Sequence, residues 1–499
     1  MISLDTSLVD VPEYSGLEEK RLANLLVDVG TLRTDEILPV ASTRMYVVPR
    51  VDTEELCGVT MDDPRDAAIR DSVSVIPFQC CLILYVFLIC QSVLYNRKNL
   101  TMGIKKLFEF IRENCPYVIK TVELREYKGK RMAIDASGWL YANLSMSYKE
   151  VVERTDLLLN EPDRHQAFMK CLRNLMEFIL SFLKHDVIPV FVFDGKPPAE
   201  KSETKQERAE TRQKIKDKIR ECKSKIDQMN ILEKDNNTIK EYRTLLSRDI
   251  GPQSNEIQTI QTLLTGIGIP WIQAIEEAEQ VCSVLCIEGK VDVVFSEDGD
   301  NLVYGCPTLA LHFERSTQDE EGNWIKKLAV IHLSDLLEGL NLSYDQFMEF
   351  CILSKCDYNK NIPNLGISRV YALLHHYGRI KNIPKTHDGK WDIPKLSLNP
   401  NIPSRVYDTE CLRLEFCLKQ FNYTPSNMLY SQGTLLLNKE ISEVGKSYLD
   451  SYGLAEYVSR MSSAYYRIKE PDNICVSRPP RKSIVVVARE VTCEVVREN

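Results

Sequence analysis

The segment IPVFVFDGKPP at residues 188–198 decides the fold. Its first six residues carry no polar side chain, which predicts a short buried strand, and the acid Asp194 follows directly. A second such segment, RMAID, ends in the acid Asp135. Strands without an alternating polar face are typical of parallel sheets that are covered by helices on both sides. The two segments therefore predict strands of an α/β sheet.

Predicted strands and helices alternate along the chain to about residue 377. Further strands are predicted at 291–295 and 308–313 and helices at 165–184, 255–265, 276–288, 344–355 and 367–377. We therefore expect an α/β fold with a mixed, mostly parallel central sheet flanked by helices. Beyond residue 385 the pattern weakens, apart from a helical patch near 408–420.

Charge and cysteine content restrict the class of protein only in part. The chain of 499 residues has a formal charge of −8, but residues 1–70 hold 14 acidic against 7 basic side chains, so the remainder is close to neutral. The 16 cysteines include no C-x-x-C pair, which favours reduced thiols in an intracellular protein over disulfides or zinc. A nucleic-acid partner is therefore not excluded by the overall charge.

Acidic residues follow three of the predicted strands, and others lie near the start or the end of predicted helices. They include Asp135 and Asp194, the E-x-E pair Glu277 and Glu279, the D-x-D pair Asp298 and Asp300, and Asp357 after a predicted helix. The carboxyl ends of parallel strands open onto one crevice. Carboxylates gathered there would repel one another unless divalent cations bind, and oxygen ligands favour Mg²⁺ or Mn²⁺. Each acid alone could be a turn residue or a helix cap, but the set together favours a metal site.

Six motifs resemble those of the flap endonucleases of the XPG family, in family order over roughly residues 102–380. They are MGIKKL at 102–107, IDAS at 134–137, VFDGKPP at 192–198, EAE at 277–279, EDGD at 297–300 and CIL…DY at 351–358. The resemblance implies a PIN-like 5′ nuclease fold and hydrolysis of phosphodiester bonds with two Mg²⁺ ions, for which Mn²⁺ can substitute. It also implies that the metal-site acids are Asp135, Asp194, Glu277, Glu279, Asp298, Asp300 and Asp357.

Residues 201–248 hold 14 basic and 9 acidic side chains and neither Pro nor Gly. A solvated helix with i,i+4 ion pairs is one interpretation. The resemblance implies instead a helical arch over the active site. Lys201 and Arg208 lie two helical turns apart on one face and match the family's two catalytic cations, which would stabilise charge on the scissile phosphate. Arg212 is expected to add a phosphate contact.

The resemblance implies further contacts with DNA. Gly103 matches the family's N-terminal motif, and Tyr141 matches an aromatic residue that stacks on a base, although a core position would also suit it. Residues 362–376 resemble a helix–two-turn–helix that binds duplex phosphates and a monovalent cation, with Gly366 retained. Asn364 and Lys355 replace family glycines, and Cys356 replaces a family serine, so this element departs from the family pattern at three positions.

Five regions are predicted. They are an acidic extension at 1–101, an N-terminal nuclease region at 102–200, the helical arch at 201–250, an internal nuclease region at 251–385 and a C-terminal extension of unknown role at 386–499. The apolar run at 75–95 is long enough to span a bilayer. We hypothesise that Met102 is the functional start and that 1–101 does not belong to the functional protein; a membrane-anchored nuclease is the rival hypothesis.

The sequence thus predicts a monomeric, structure-specific 5′ flap endonuclease that binds branched or flapped DNA in replication, repair or recombination. The alternatives are a 5′→3′ exonuclease, a junction-resolving nuclease or, from another class, a catalytically inactive junction-binding scaffold. No clamp-binding motif is present near the C-terminus. A nuclear location is expected. A compact nuclease without a clamp-binding motif would also suit a large DNA virus, and a viral protein would act in the host nucleus or at a cytoplasmic replication site.

Overall fold

The computed structural model describes residue 104 and residues 106–198, 201–228, 236–318, 324–360, 362–393 and 405–468. It also describes the strands Leu38–Pro39 and Met45–Tyr46, which pair antiparallel in a first unit, Met1–Asn99. The second unit, Leu100–Asn499, holds the rest. The hypotheses about the apolar run at 75–95 and the start at Met102 lie outside the described residues. Within those residues, no helix has the length and apolar character needed to cross a membrane.

A central sheet of eight strands organises the described part of the second unit. In chain order the strands are β1 Ile119–Glu123, β2 Arg131–Asp135, β3 Ile188–Phe193, β4 Trp271–Ala274, β5 Val293–Phe295, β6 Thr308–Phe313, β7 Lys327–His332 and β8 Tyr430–Gly433. Their order across the sheet is β8-β4-β3-β2-β5-β6-β7-β1. The five strands from β4 to β6 in that order are parallel, and the pairs β8–β4, β6–β7 and β7–β1 are antiparallel. The predicted mixed, mostly parallel sheet is confirmed.

Fourteen α-helices occur in the described residues. They are α1 Leu107–Asn114, α2 Ala136–Arg154, α3 Arg164–Leu183, α4 Ser202–Asp227, α5 Asn236–Leu246, α6 Ser254–Gly266, α7 Ala278–Ile287, α8 Asp300–Val303, α9 Leu333–Leu340, α10 Tyr344–Leu353, α11 Ile367–Tyr377, α12 Leu414–Gln420, α13 Glu443–Ser451 and α14 Glu456–Arg467. Short 3-10 turns lie at Pro116–Val118, Leu124–Tyr127, Ile380–Asn382 and Ser426–Met428. The predicted arch stretch therefore consists of two helices, α4 and α5.

Strand β3 is buried along its whole length because its two faces serve different cores. Val190 and Val192 belong to the core on one face, whereas Phe191 and Phe193 belong to the core on the other. Successive side chains of a strand point to opposite faces, so a strand covered on both sides needs apolar residues at every position. This requirement explains the uninterrupted apolar run in the sequence.

A small third core holds the arch helices α4 and α5 to α2. Cys222 and Ile226 of α4 pack there with Tyr242 and Leu245 of α5 and with Val152 of α2. The outward faces of α4 are charged and exposed. The base of the arch is therefore anchored by apolar contacts, and its polar surface remains available to solvent.

The described residues 405–468 of the predicted C-terminal extension form part of the fold. Strand β8 extends the central sheet by pairing with β4. Helix α14 docks on α3, where Tyr457 donates a hydrogen bond of 2.8 Å to Glu177 and Arg460 also pairs with Glu177. The apolar residues of α14 recur at helical spacing, a signal that the sequence analysis missed. They are Tyr457, Met461, Ala464 and Tyr465.

We expect Gly445→Ala to lower the free energy of unfolding by about 1–3 kcal/mol, the usual cost of overpacking. Gly445 lies against Gly266 of α6, and an added Cβ would meet the Gly266 carbonyl oxygen at 2.2 Å. Alanine favours helices more than glycine does, so a loss must come from this clash. Urea denaturation would measure it. The control is Gly366→Ala, where no described atom beyond the chain neighbours lies within 4 Å of the added carbon and the expected cost is only that of alanine at a helix N-cap. A Gly445→Ala variant as stable as the wild type would contradict the docking of α13.

Candidate active site

The carboxyl edge of the parallel strands gathers the predicted acids. Asp135 is the last residue of β2, and Asp194 follows β3. Glu277 is the N-cap of α7 after β4, and Asp300 begins α8 after β5. Because these four strands are neighbours in the sheet, the topology brings together residues that lie far apart in the sequence. The strand order therefore places the strand ends that carry these acids along one edge of the sheet.

A hydrogen-bonded chain joins two of the strand ends. Asp135 caps α2 by accepting a 3.2 Å hydrogen bond from the Gly138 N–H, and its other oxygen accepts one of 3.1 Å from the Ser296 hydroxyl. The Ser296 oxygen in turn accepts a 3.0 Å hydrogen bond from the Asp298 N–H, and Asp298 accepts one of 2.9 Å from the Asp300 N–H. Ser296 was missed by the sequence analysis, and it fixes the relative positions of Asp135 and Asp298.

Burial and like charges strongly perturb these acids. Burial, together with the charge of Asp194, raises the pKa of Asp135 to about 7. Burial also raises the pKa of Asp298 to about 6, although the Asp300 N–H and the Lys201 charge oppose the change. The pKa values of Glu279 and Asp300 are raised well above the ordinary range by burial and then by neighbouring carboxylates. The edge therefore concentrates more negative charge than a protein interior normally tolerates.

Asp194 and Glu277 make hydrogen bonds at the outer part of the crevice. Asp194 accepts a 2.8 Å hydrogen bond from the Ala278 N–H at the start of α7. Part of the Asp194 residue is exposed to solvent, but burial of the carboxyl group raises its pKa. Glu277 accepts a 2.6 Å hydrogen bond from the Tyr358 hydroxyl and a longer one from Tyr304. These bonds hold the two carboxylates beside the inner acids.

Two cations of the arch reach the same acids. The Lys201 ammonium lies 2.5 Å from a Glu277 oxygen and 3.3 Å from an Asp357 oxygen. The Arg208 guanidinium contacts both oxygens of Asp357, at 3.0 and 3.1 Å. Burial by itself would lower the pKa of Lys201, but the charges of Glu277 and Asp300 outweigh it and raise the pKa, so Lys201 stays protonated. The structure thus brings the predicted cations and acids together.

The donor set at this edge fits a hard divalent cation. Asp300 Oδ1 is buried and has no hydrogen-bond partner among the described residues, and the acids supply oxygen donors only. Bound cations would balance the repulsion that raises the pKa values of these acids. Within the described residues, no three acidic, His or Cys side chains already converge at the spacing of ligands to one ion. Lys201 and Arg208 instead hold Glu277 and Asp357 as ion-pair partners.

Tyr141 and Arg212 line a separate cleft of about 270 Å³ beside the arch. Lys216, one helical turn after Arg212, lines the same cleft, as does Gly251. The sequence analysis missed Lys216, although its spacing of four residues from Arg212 places both on one helix face. The half-buried Tyr141 is therefore not a core residue. The cleft combines an aromatic ring with three cations, since Arg164 also lines it, and with one acid, Asp249. Aromatic rings and cations are the groups that bind single-stranded nucleic acid.

The helix–two-turn–helix region keeps the backbone that its missing glycines would favour. Lys355 has φ +85° and Asn364 has φ +64°, both in the left-handed region. Gly366 is the N-cap of α11, and Arg369 of that helix donates a 2.6 Å hydrogen bond to the Asn364 carbonyl oxygen. Both positions thus have the backbone conformation that glycine favours, although each carries a side chain. Gly103, predicted to contact DNA, lies outside the described residues.

Comparison with known proteins identifies the family. The model of the XPG N-terminal domain matches residues 102–215, and that of the XPG I-region matches residues 268–357. The probable RAD2-like endonuclease 369L of Invertebrate iridescent virus 6 is 30% identical over 316 residues, which cover 58% of this chain and 74% of the relative. The chain belongs to the XPG family. Flap endonuclease 1 of Glycine max is 32% identical over 298 residues, covering 59% of this chain and 71% of that protein. Flap endonuclease-1 from Methanococcus jannaschii, a solved structure, is 20% identical with a TM-score of 0.44 and covers 74% of this chain and 100% of that one.

Membership of the XPG family confirms the resemblance drawn from the motifs and makes the chain a nuclease that hydrolyses phosphodiester bonds. XPG-family nucleases are metal-dependent, generally on Mg²⁺. The two family models together contain all the acids at the sheet edge and the cations Lys201 and Arg208. The segment 405–468, which completes the sheet and docks on α3, lies outside both models.

Proposed function

We propose that this XPG-family nuclease cleaves 5′ flaps at the junction between single-stranded and duplex DNA. The observation that carries the proposal is the meeting of the arch cations Lys201 and Arg208 with the acids Glu277 and Asp357 at the sheet edge. Relatives that are named flap endonuclease 1 support the choice of substrate. The reaction would serve DNA replication, repair or recombination.

The acids at the edge are proposed to hold two Mg²⁺ ions, for which Mn²⁺ can substitute. The ligand set is Asp135, Asp194, Glu277, Glu279, Asp298, Asp300 and Asp357. When bound, divalent cations supply an activated water and stabilise charge on the attacking and leaving oxygens. The hydrogen bonds of Ser296 to Asp135 and Asp298 hold two of the ligands in place before any cation arrives.

The arch cations are proposed to change partners when substrate binds. Lys201 and Arg208 now neutralise Glu277 and Asp357. When substrate binds, both side chains would turn to the oxygens of the scissile phosphate and stabilise the charge that develops there. Their ion pairs thus place them at the site in advance, which limits the reorganisation that catalysis requires.

Further contacts with DNA are proposed outside the metal-site acids. Tyr141 is proposed to stack on a base, and Arg212 to bind a phosphate in the cleft that both residues line. Gly366 at the N-terminus of α11 would offer backbone N–H groups to duplex phosphates, with a monovalent cation nearby, and Gly103 would contact DNA beside the active site. The partner is flapped or branched DNA, and the protein would act as a monomer.

The test compares rates of cleavage by the full chain on substrates that share one labelled strand. A 5′-flap duplex, a flush duplex with a 5′ end, a four-way junction and the free single strand are incubated with Mg²⁺, Mn²⁺ or EDTA. We expect the flap to be cut fastest in both metals and no cutting in EDTA. Faster trimming of the flush end would favour an exonuclease, and faster cutting of the four-way junction would favour a junction-resolving enzyme. Binding without cutting in either metal would favour the inactive scaffold.

A further inference from the structure

Lys355 occupies a backbone conformation that lysine rarely adopts. It lies between the end of α10 and Asp357 with φ +85°, in the left-handed region where a side chain crowds the backbone. Asn364 also has positive φ, but asparagine tolerates that region far better than lysine does. Strained residues of this kind concentrate at functional sites. The backbone conformation therefore makes the Lys355 side chain a candidate for a functional contact.

The Lys355 side chain lies at the rim of the active site. It stands two residues before Asp357, which contacts Arg208, and its ammonium lies 3.8 Å from a carboxylate oxygen of Glu207, the neighbour of Arg208 on α4. The three cations near Asp357 differ in how far their side chains are exposed to solvent. The exposed fraction of the side chain is 11% for Lys201, 37% for Lys355 and 53% for Arg208.

The contact with Glu207 does not explain why a lysine occupies this unfavourable backbone position. The separation of 3.8 Å is at the limit for an ion pair, and the Glu207 side chain is 62% exposed. Pairs of that kind contribute little to stability, so this one cannot offset the unfavourable backbone. Among the described residues, the Lys355 ammonium has only this loosely held carboxylate as an ion-pair partner. It is therefore available to a stronger anion. A phosphate that enters the site beside Arg208 is such an anion.

We propose that Lys355 binds a backbone phosphate of the DNA substrate at the rim of the active site, as a point charge beside Lys201 and Arg208. This inference rests on the proposed nuclease function and adds a substrate-binding residue to it. In the free protein Glu207 is the carboxylate partner of the Lys355 ammonium. On binding, the DNA phosphate replaces Glu207 as the partner of Lys355.

The test uses full-length variants and a fluorescent 5′-flap duplex, with Ca²⁺ in place of Mg²⁺ and salt varied between about 50 and 200 mM. Lys355→Asn removes the charge but suits the left-handed backbone. We expect it to weaken binding about 3- to 10-fold and to reduce the slope of log K against log salt by about 0.9, the contribution of one phosphate contact. Its melting temperature should be unchanged or higher. Lys355→Arg should retain the salt slope, and Glu207→Gln should bind at least as tightly as the wild type.

Other outcomes would overturn the inference in recognisable ways. An unchanged salt slope in Lys355→Asn would exclude the phosphate contact. Weaker binding and a lower melting temperature in both Lys355→Asn and Glu207→Gln would make the pair a structural link between the arch and α10. Asn364→Gly, which eases a similar backbone position without changing charge, controls for the turn geometry. If wild-type protein neither binds nor cuts the flap duplex, the proposed function fails, whereas a cutting wild type with an unaltered Lys355→Asn slope defeats the Lys355 proposal alone.

Discussion

Asp298→Asn is expected to lower the single-turnover rate of flap cleavage by about 10³-fold or more while binding of the flap duplex changes by less than about threefold. The side chain is buried at the end of β5, and its Oδ1 accepts the hydrogen bond from the Asp300 N–H. Asparagine can keep that acceptor and the volume of the side chain. It removes the charge that a divalent cation would need, so chemistry should fail and the fold should remain.

The same variant should respond to metal differently from the wild type. Removing one of several buried like charges should raise the melting temperature in EDTA, and Mg²⁺ should then stabilise the variant less than it stabilises the wild type. Asp292→Asn is the matched control, because Asp292 precedes the same strand at its opposite end and pairs there with Lys130. A variant that still cuts at the wild-type rate would exclude Asp298 from the metal site. Equal losses in both variants would indicate a general structural effect.

Lys201→Met is expected to reduce the single-turnover rate by about 10²- to 10³-fold, the usual cost of removing one group that stabilises transition-state charge. The substitution also leaves Glu277 and Asp357 without their ammonium partner. Breaking a buried pair costs about 3–5 kcal/mol, and the remaining partners of these acids, Tyr358 and Arg208, should reduce the loss to about 2–3 kcal/mol. Chemical denaturation in EDTA would measure this change.

Mg²⁺ separates the two roles of Lys201. If bound cations replace the ammonium as the balance for Glu277 and Asp357, adding Mg²⁺ should restore most of the stability of Lys201→Met but not its cleavage rate. Lys214→Met, an exposed arch position, is the control for loss of charge. A lost rate that recovers together with stability would show that Lys201 only positions the acids. A rate equal to that of the wild type would remove Lys201 from the reaction.

Much of this architecture could be predicted because two local requirements leave direct traces in the sequence. A strand covered on both faces needs apolar residues at every position, which Val190 to Phe193 satisfy. Acids at the ends of neighbouring parallel strands must meet at one edge, so the positions of Asp135 and Asp298 followed from the strand assignments alone. The bounds of these strands are confirmed to within two residues.

The features that the sequence did not predict depend on contacts between distant segments or on backbone conformation. Ser296 connects Asp135 to Asp298 only because β2 and β5 are neighbours, which no local pattern reveals. The C-terminal segment was underestimated because β8 has no apolar run of its own and gains its place by pairing with β4. The left-handed backbone of Lys355 was equally hidden, since lysine gives no local indication of positive φ.

The most direct test of the proposed function is the position of the cut made by the full chain on a 5′-labelled flap duplex in Mg²⁺. A flap endonuclease should release a product that ends within a nucleotide or two of the junction, whatever the base sequence there. This product should disappear in EDTA and return when Mg²⁺ is added back in excess. Cleavage that persists in EDTA, or a ladder of products starting from the free 5′ end in Mg²⁺, would contradict it.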